Sequence, residues 1–339
     1  MADYVKLTED ECAARLRAAD ALVLCHRNPD ADTVGSALAL CDVIRFLGGK
    51  AKAVCETAFP KRLAFMCGGE TGEYAPGDED GRCVIAVDVA SPAQLGALSH
   101  LAEKTSLMID HHGFGEPFAD NLVCAEASSA GEIVTALLRR LISSGEIAPS
   151  SRALADTCRR LFAAVSSDTG SFKYSNATPA AFECAAYLVA VIAADPDGID
   201  CADISRLLFD TRTVAELTAQ RVAADKLRIY ADGKLAITTI TDVDCAAAGI
   251  TPDDCSDSVD VPRSVAGAEV GIAIREKGSG EYRISARSNC DFSVAAVCAS
   301  FGGGGHVRAA GASVFADSAE EAEKIVREAF ESALEVYHG

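Results

Sequence analysis

The stretch HRNPDADTVGS, from His26 to Ser36, sets one histidine and two aspartates within seven residues, directly after the apolar run ALVLC. Three other segments repeat the arrangement: VIAV leads into Asp88, SLMI leads into Asp110, His111 and His112, and AAVSSDTGS supplies Asp168 at the end of an apolar stretch. If these ends meet in space, their carboxylates repel one another and lose hydration, which is tolerable only with cations among them. A pair of divalent metals is therefore expected. Carboxylate-rich sets with a few imidazoles suit Mn2+ or Mg2+ better than Zn2+. In two-metal phosphoryl chemistry the ions, about 3.5 to 4 Å apart, lower the pKa of a bridging water and clamp the attacked phosphate. Each segment taken singly has a plainer reading: a proline turn with an Asp helix cap at HRNPDAD, a cap before Pro92 at Asp88, a solvated turn at DHH, a glycine turn at SSDTGS. Their joint occurrence, each at the end of an apolar element, favours the metal site.

The elements that would deliver these residues alternate along the chain. TEDECAARLRAA opens with the Thr8 to Glu11 capping-box spacing, and DTVGSALALCDVIRFLGG is a helical pattern ending at Gly48 and Gly49. The apolar runs ALVLC, CVIAV and SLMI predict parallel strands covered on both faces, while SAGEIVTALLRRLI, RALADTCRRLFAAV and PAAFECAAYLVAVIA predict helices. In open parallel sheets the carboxyl ends of the strands form the ligand crevice, which puts the acids and imidazoles on one edge. The expected fold class is α/β in two lobes: a larger parallel-sheet domain over residues 1–200, a helical connector over 201–230, and a smaller α/β domain over 231–339. In the last of these, KLAITTIT, EVGIAIREK and EYRISARS are strand-like, the last two joined by GSG in an expected hairpin. A glycine run from Gly302 to Gly305, a strand ASVFA and a final helix with the Ser318 to Glu321 capping box follow. TPDDCSDSVDVP predicts an exposed acidic loop.

Composition narrows the class. At 339 residues and 49% hydrophobic, the chain has material for two domains. Its 14 cysteines are scattered without a C-x-x-C pair and read as buried, reduced thiols. A charged N-terminus and the absence of an apolar run of about 18 residues predict a soluble, cytoplasmic protein with no membrane partner. A net charge of −19 opposes binding of long nucleic acid, duplex DNA included, so any phosphate ligand must be held by local positive charge.

The ordered motifs HRNPDADTVGS, AVDVAS, IDHH and VSSDTGSF resemble those of the DHH phosphoesterases, and YRISARS followed by GGGGHVRAAGA resembles the glycine–histidine signature of the DHH-associated substrate domain. The resemblance spans nearly the whole chain and implies two lobes facing each other across a metal cleft. Carried over residue by residue, it implies that His26, Asp30 and Asp88 hold one Mn2+ and that Asp32, Asp88, His111 and Asp168 hold the other, with Asp88 as the bridge. Asp110 would orient an imidazole, and His112 would face the phosphate and assist the leaving oxygen. In the second lobe the run containing Gly303, Gly304 and Gly305 would approach a ligand closely and offer a nest of backbone N–H groups beside His306 and Arg308. Arg287 would pair with phosphate or stack on a base, with Ser285 and Ser288 adding hydroxyl contacts. By residue type alone Arg287 is a surface strand charge, and only the resemblance reverses that; for Arg308 the two readings stand level.

Within the family, pyrophosphatases carry a second lobe without the glycine–histidine signature, RecJ-type exonucleases add nucleic-acid-binding domains, and cyclic-dinucleotide phosphodiesterases of the membrane need a membrane region. The chain resembles instead the small soluble nanoRNases that also dephosphorylate 3′-phosphoadenosine 5′-phosphate (pAp). This implies hydrolysis of short oligoribonucleotides to mononucleotides, of pAp to AMP and phosphate, or of both, with two Mn2+ as cofactor and Mg2+ or another divalent ion as alternatives. A RecJ-like single-strand exonuclease and a nucleotide- or RNA-binding regulator with a vestigial metal site are the competing readings. The presence of every expected metal-binding residue weighs against the regulator. A homodimer is an open alternative to a monomer.

Overall fold

Five short strands form a parallel sheet in the first of two units, Met1–Thr211, of the computed structural model. The structure describes residues 4–113, 115 and 117–338. Helix α1 (Glu9–Leu16) starts at the expected capping box, with the Glu11 N–H donating to the Thr8 hydroxyl at 3.3 Å and the Thr8 N–H to the Glu11 carboxylate at 2.9 Å. It is followed by β1 (Asp20–Leu24), α2 (Ala31–Phe46), β2 (Lys50–Val54), α3 (Ala64–Cys67), β3 (Cys83–Val87), β4 (Thr105–Asp110) and β5 (Asn121–Val123). Helices α4 (Ala130–Ser143), α5 (Ser151–Asp168), α6 (Pro179–Ala193) and α7 (Cys201–Ser205) complete the unit. The strand order is β2-β1-β3-β4-β5, with every pair parallel. The chain reverses its direction of sheet growth between β1 and β3, and such a switch point leaves a crevice beyond the carboxyl ends of those strands.

Helix α2 is buried nearly all round, with 13 of its 16 residues inaccessible, so it behaves as a core element rather than a surface helix. Glycines let its neighbours come close. A Cβ at Gly35 would lie 2.5 Å from the Arg160 carbonyl oxygen of α5, and one at Gly131 of α4 would lie 2.6 Å from the Ala164 Cβ. These contacts lock α2, α4 and α5 together at the end where α2 begins and α5 stops.

The second unit, Arg212–Gly339, contains α8 (Val214–Asp225), β6 (Leu227–Tyr230), β7 (Leu235–Ile240), α9 (Asp242–Ala248), α10 (Asp260–Arg263), β8 (Val270–Glu276) and β9 (Glu281–Ser288). Helix α11 (Val294–Ser300), β10 (Gly304–His306), β11 (Ala309–Phe315) and α12 (Ala319–His338) follow. Its sheet runs β10-β11-β9-β8-β7-β6, antiparallel except for the β7–β8 pair. The GSG turn closes the β8–β9 hairpin. Helices α11 and α12 cover one face through Ile272, Ile274, Ile284, Val294, Val326 and Phe330. The expected α/β class is thus realised by one parallel and one mixed sheet.

Two segments differ in detail from their sequence pattern. The stretch 201–230 is divided: α7 and a π-type turn, Arg206–Asp210, lie in the first unit, and α8 and β6 lie in the second. TPDDCSDSVDVP is not a simple exposed loop, because Cys255, Ser258, Val259 and Pro262 are buried between aspartates and fold it into a 3-10 turn, Pro252–Cys255, and α10. All 14 cysteines are free thiols. Among the described residues no helix is long and apolar enough to cross a membrane.

The α2–α5 contact yields a test. Gly35→Val should lower the urea midpoint, with a loss of about 1–3 kcal/mol from overpacking against backbone. An unchanged midpoint would show that the two helices are not in backbone contact.

Candidate metal centre

Strands β1, β3 and β4 end at the switch point and hand the chain to His26, Asp88 and the Asp110–His112 trio. Asp30 then serves two purposes. Its Oδ1 caps α2 by accepting from the N–H groups of Asp32 at 3.0 Å and Thr33 at 3.1 Å, while Oδ2 lies 3.7 Å from His26 Nε2. Asp88 is not the cap of the following helix, a role taken by the Ser91–Gln94 pair, where Gln94 Oε1 accepts from the N–H groups of Ala90 and Ser91. Its backbone has φ of +60°, a left-handed conformation that costs a non-glycine residue about 1–3 kcal/mol. The turn brings Oδ2 to 3.4 Å from His26 Nε2 and Oδ1 to 3.4 Å from His111 Nε2.

His111 Nε2 also stands 3.3 Å from Asp168 Oδ2 and 3.8 Å from Asp32 Oδ2. Asp32 is fully buried and firmly held, accepting from the N–H groups of Ala130 at 2.8 Å and Gly131 at 3.0 Å and from the Ser36 hydroxyl at 2.9 Å. Asp110 Oδ1 lies 2.7 Å from His112 Nδ1 and accepts from the His111 N–H at 2.9 Å, so it orients the His112 ring. All eight first-unit residues singled out in the sequence therefore converge. The donor atoms of seven of them, all but Asp110, form three overlapping groups, His26–Asp30–Asp88, Asp32–His111–Asp168 and Asp88–His111–His112, each within 4.8 Å.

The donor set fits a divalent cation. The carboxylate-to-imidazole separations of 3.3–3.8 Å around His26 and His111 exceed the usual N–H···O range of about 2.7–3.2 Å. Asp88 Oδ1 is buried and makes no hydrogen bond among the described residues. A buried acceptor left so costs about 1–3 kcal/mol, a cost that a cation removes. Oxygen donors with a few imidazoles are the ligands that hard and borderline divalent ions take.

Without an ion, protons fill the same role. Burial opposes charge on His26, but Asp30 and Asp88 outweigh it and push its pKa up to about 11. His111 rises to about 10 in the same way, against burial, through Asp88, Asp32 and Asp168. Burial and the Asp88 charge push Asp32 up to about 7, and burial with Asp32, Asp30 and Asp88 lifts Asp168 well above the carboxylate range. Asp88 alone is held low, burial notwithstanding, by its two imidazoles.

Some contributors carried no signal in the sequence reading. The Asn176 amide donates to the carbonyls of Ser128 and Asp168, both at 3.0 Å, and the Ala127 carbonyl lies 3.4 Å from His111 Nδ1. Residues 127–131, ASSAG, thus position Asp32, His111 and Asp168 through main-chain atoms. After Asp168 the chain makes a left-handed turn, with φ near +56° to +60° at Gly170, Ser171 and Phe172, and the Phe172 ring stacks on Phe182 at 5.2 Å.

In the second unit the expected residues separate. Ser285 and Arg287 share one half-exposed face of β9. Ser288, one residue out of that alternation, is buried on the other face with its hydroxyl donating to the Cys290 carbonyl at 3.0 Å, so it is removed from the ligand-facing set. The glycine run is also corrected in part. The N–H groups of Gly302 and Gly303 donate to the carbonyls of Ala299 and Cys298 at the end of α11, both at 3.0 Å, and so do not contribute to an anion nest. Gly304, Gly305 and His306 form β10 opposite Gly311, Ala310 and Ala309. Gly303 is needed for contact, since a Cβ there would lie 2.2 Å from the Gly311 carbonyl oxygen. Arg308 reaches the exposed Asp291 carboxylate at 2.5 Å.

The pKa directions set a sign for metal binding. Ligation requires neutral imidazoles and ionised carboxylates, so Mn2+ added to the metal-free protein must displace protons. Calorimetry in buffers of different ionisation enthalpy should show proton release that is larger at pH 6 than at pH 9, because Asp32, with its pKa near 7, has already ionised at the higher pH. No release at either pH would mean that the cluster does not bind the ion through these groups.

Comparison with known proteins agrees with this geometry. Residues 20–159 match the DHH family, N-terminal domain, and residues 232–332 match the DHHA1 domain. The chain is 27% identical over 314 residues to a bifunctional oligoribonuclease and PAP phosphatase, NrnA, of Thermus thermophilus, covering 91% of this chain and 88% of that one. A probable NrnA of Streptococcus mutans is also 27% identical, over 93% of this chain and 96% of that one. Among solved structures, an exopolyphosphatase-related protein from Bacteroides fragilis superposes with a TM-score of 0.81 at 23% identity, covering 97% and 96% of the two chains, and so shares the fold. The chain thus contains a DHH domain, which holds every residue of the acid–imidazole cluster but Asp168, followed by a DHHA1 domain.

Proposed function

We propose that this protein is a metal-dependent phosphoesterase that cuts very short oligoribonucleotides to mononucleotides, pAp to AMP and phosphate, or both. The observation that carries the reading is the convergence of three imidazoles and five aspartates at the β1/β3 switch point, around a buried Asp88 oxygen that makes no hydrogen bond among the described residues. The relatives named as oligoribonuclease and PAP phosphatase support the substrate class. His26, Asp30 and Asp88 would hold one ion, and Asp32, Asp88, His111 and Asp168 the other. When bound, two Mn2+ ions would acidify a water and neutralise the attacked phosphate.

The chain's own groups do the rest. Three donors fix the Asp32 carboxylate, so its direction is set before any ligand arrives. Asp110 engages His112 at Nδ1 and sets the direction of the ring, and His112 would hand a proton to the leaving oxygen. Arg287 and Ser285, with His306, would bind the part of the substrate remote from the reacting phosphorus. A body of net charge −19 gives little attraction to phosphates beyond these few positive groups, which favours short substrates.

Chelation should abolish hydrolysis, with Mn2+ restoring it better than Zn2+. Asp88→Asn should lower kcat by orders of magnitude with the far-UV spectrum unchanged; a loss under tenfold, about 1.4 kcal/mol, would remove Asp88 from the reaction. In a panel of pAp and 5′-labelled strands of graded length, kcat/KM should be much higher for pAp or dinucleotides than for a strand of about twenty nucleotides, which extends well past one short binding site. Equal or higher efficiency on the twenty-nucleotide strand would favour a long-strand exonuclease instead.

A further inference from the structure

The face of the second sheet that carries Arg287 holds two more arginines. Side chains alternate along β9, so Arg283 shares a face with Ser285 and Arg287, and Arg275 of β8 is directly opposite Arg283 in the register. Like charges in opposed positions destabilise a strand pair. Folding alone gives no reason to place them there.

Among the described residues neither guanidinium forms an ion pair within 4.0 Å of a carboxylate, and Arg275 Nε is buried without a hydrogen-bond partner. Asp257 and Asp253 favour the charge on Arg275 from beyond ion-pair distance, and Asp253 is 3.7 Å from Lys277. The surface beside Arg283 is low. On β11 the residues opposite Arg287, Ser285 and Arg283 are Ala309, Gly311 and Ser313, and a Cβ at Gly311 would lie 4.0 Å from Arg283 Nη2. β11 thus presents small residues beside the arginines, with the Glu281 carboxylate, which accepts from the Ser313 hydroxyl at 2.7 Å, at the end of the row, on a chain whose overall field repels anions.

We propose that Arg283, backed by Arg275, forms a second phosphate subsite along β9 from Arg287, taking a further backbone phosphate of oligoribonucleotides longer than a dinucleotide. The proposal rests on the reading above, in which the protein hydrolyses short oligoribonucleotides and Arg287 binds substrate. Four residues of strand separate the two arginines by about 13 Å, so they address different phosphates rather than sharing one. A guanidinium fork meets phosphate with two parallel hydrogen bonds, which fits an otherwise unpaired arginine beside small residues. Arg275, half-buried with its Nε out of solvent, raises the local potential. Substrate length is then read in steps, with a gain when the chain first reaches Arg283 and none after it.

The test compares wild type, Arg283→Ala and Arg283→Lys on pAp and on 5′-phosphorylated di-, tri- and tetranucleotides at fixed salt, with thermal midpoints measured alongside. Arg283→Ala should lower kcat/KM for the tri- or tetranucleotide about tenfold, the scale of one lost charge-assisted contact, mainly through KM. It should leave pAp and the dinucleotide within about twofold, since each carries one phosphate to react and one for Arg287 and none for a second subsite. Arg283→Lys should keep part of the gain. Because the variant relieves a like-charge pair, its thermal midpoint should stay the same or rise. Equal losses on short and longer substrates with a lowered midpoint would assign Arg283 a structural role and overturn the subsite, as would a length profile that Arg283→Ala does not move. If wild type turns over none of these substrates, the hydrolase reading itself falls, and the subsite with it.

Discussion

Mutual repulsion among buried carboxylates is the constraint on which the first unit is built. Asp32, Asp88 and Asp168 all face His111, and His26 with Asp30 extends the cluster on the other side of Asp88. No arrangement of these groups is stable unless positive charge stands between them, as protons on the imidazoles and acids or as divalent ions. A site of this kind selects its occupant by charge before geometry is considered. The phosphate it would act on is drawn to the same positive charge.

That constraint explains where the sequence spends small residues. Gly35 and Gly131 admit backbone-to-backbone approach of α2, α4 and α5, which carries the start of α2 and the end of α5 to the same edge of the sheet. Asp32 then finds the N–H groups at the start of α4 already aimed at it, and Asn176 fastens the carbonyls of Ser128 and Asp168. The left-handed backbone of Asp88 is the local cost of the same design. A residue that followed ordinary strand geometry at that point would not carry its carboxylate to both His26 and His111.

Much of this was legible from residue pattern because burial on both sides makes β1, β3 and β4 continuous apolar runs whose ends are visible as abrupt changes to Asp and His. The edge strands β2 and β5 were not, since KAKAV alternates with lysine and NLV is three residues long. Asp30 shows that two readings of one residue need not exclude each other, as one oxygen caps a helix and the other faces the cluster. Ser288 shows the opposite case: period-two alternation turns it away from Arg287, which the local composition ARS does not reveal. The glycine run looked like an open loop, yet its first amides close α11 and its remainder pairs with β11. Positions such as Asn176 act through main-chain carbonyls, so no side-chain chemistry in the sequence announces them.

The two units have separate hydrophobic cores, around α2 and on both faces of the parallel sheet in the first, and between the mixed sheet and α11 and α12 and beneath α8 and α9 in the second. Every residue of the acid–imidazole cluster belongs to the first. A cation held by the cluster would add its binding free energy to the stability of the unit Met1–Thr211, in which all of its ligands lie. Metal supply would then be felt in that unit as resistance to unfolding, quite apart from any effect on turnover.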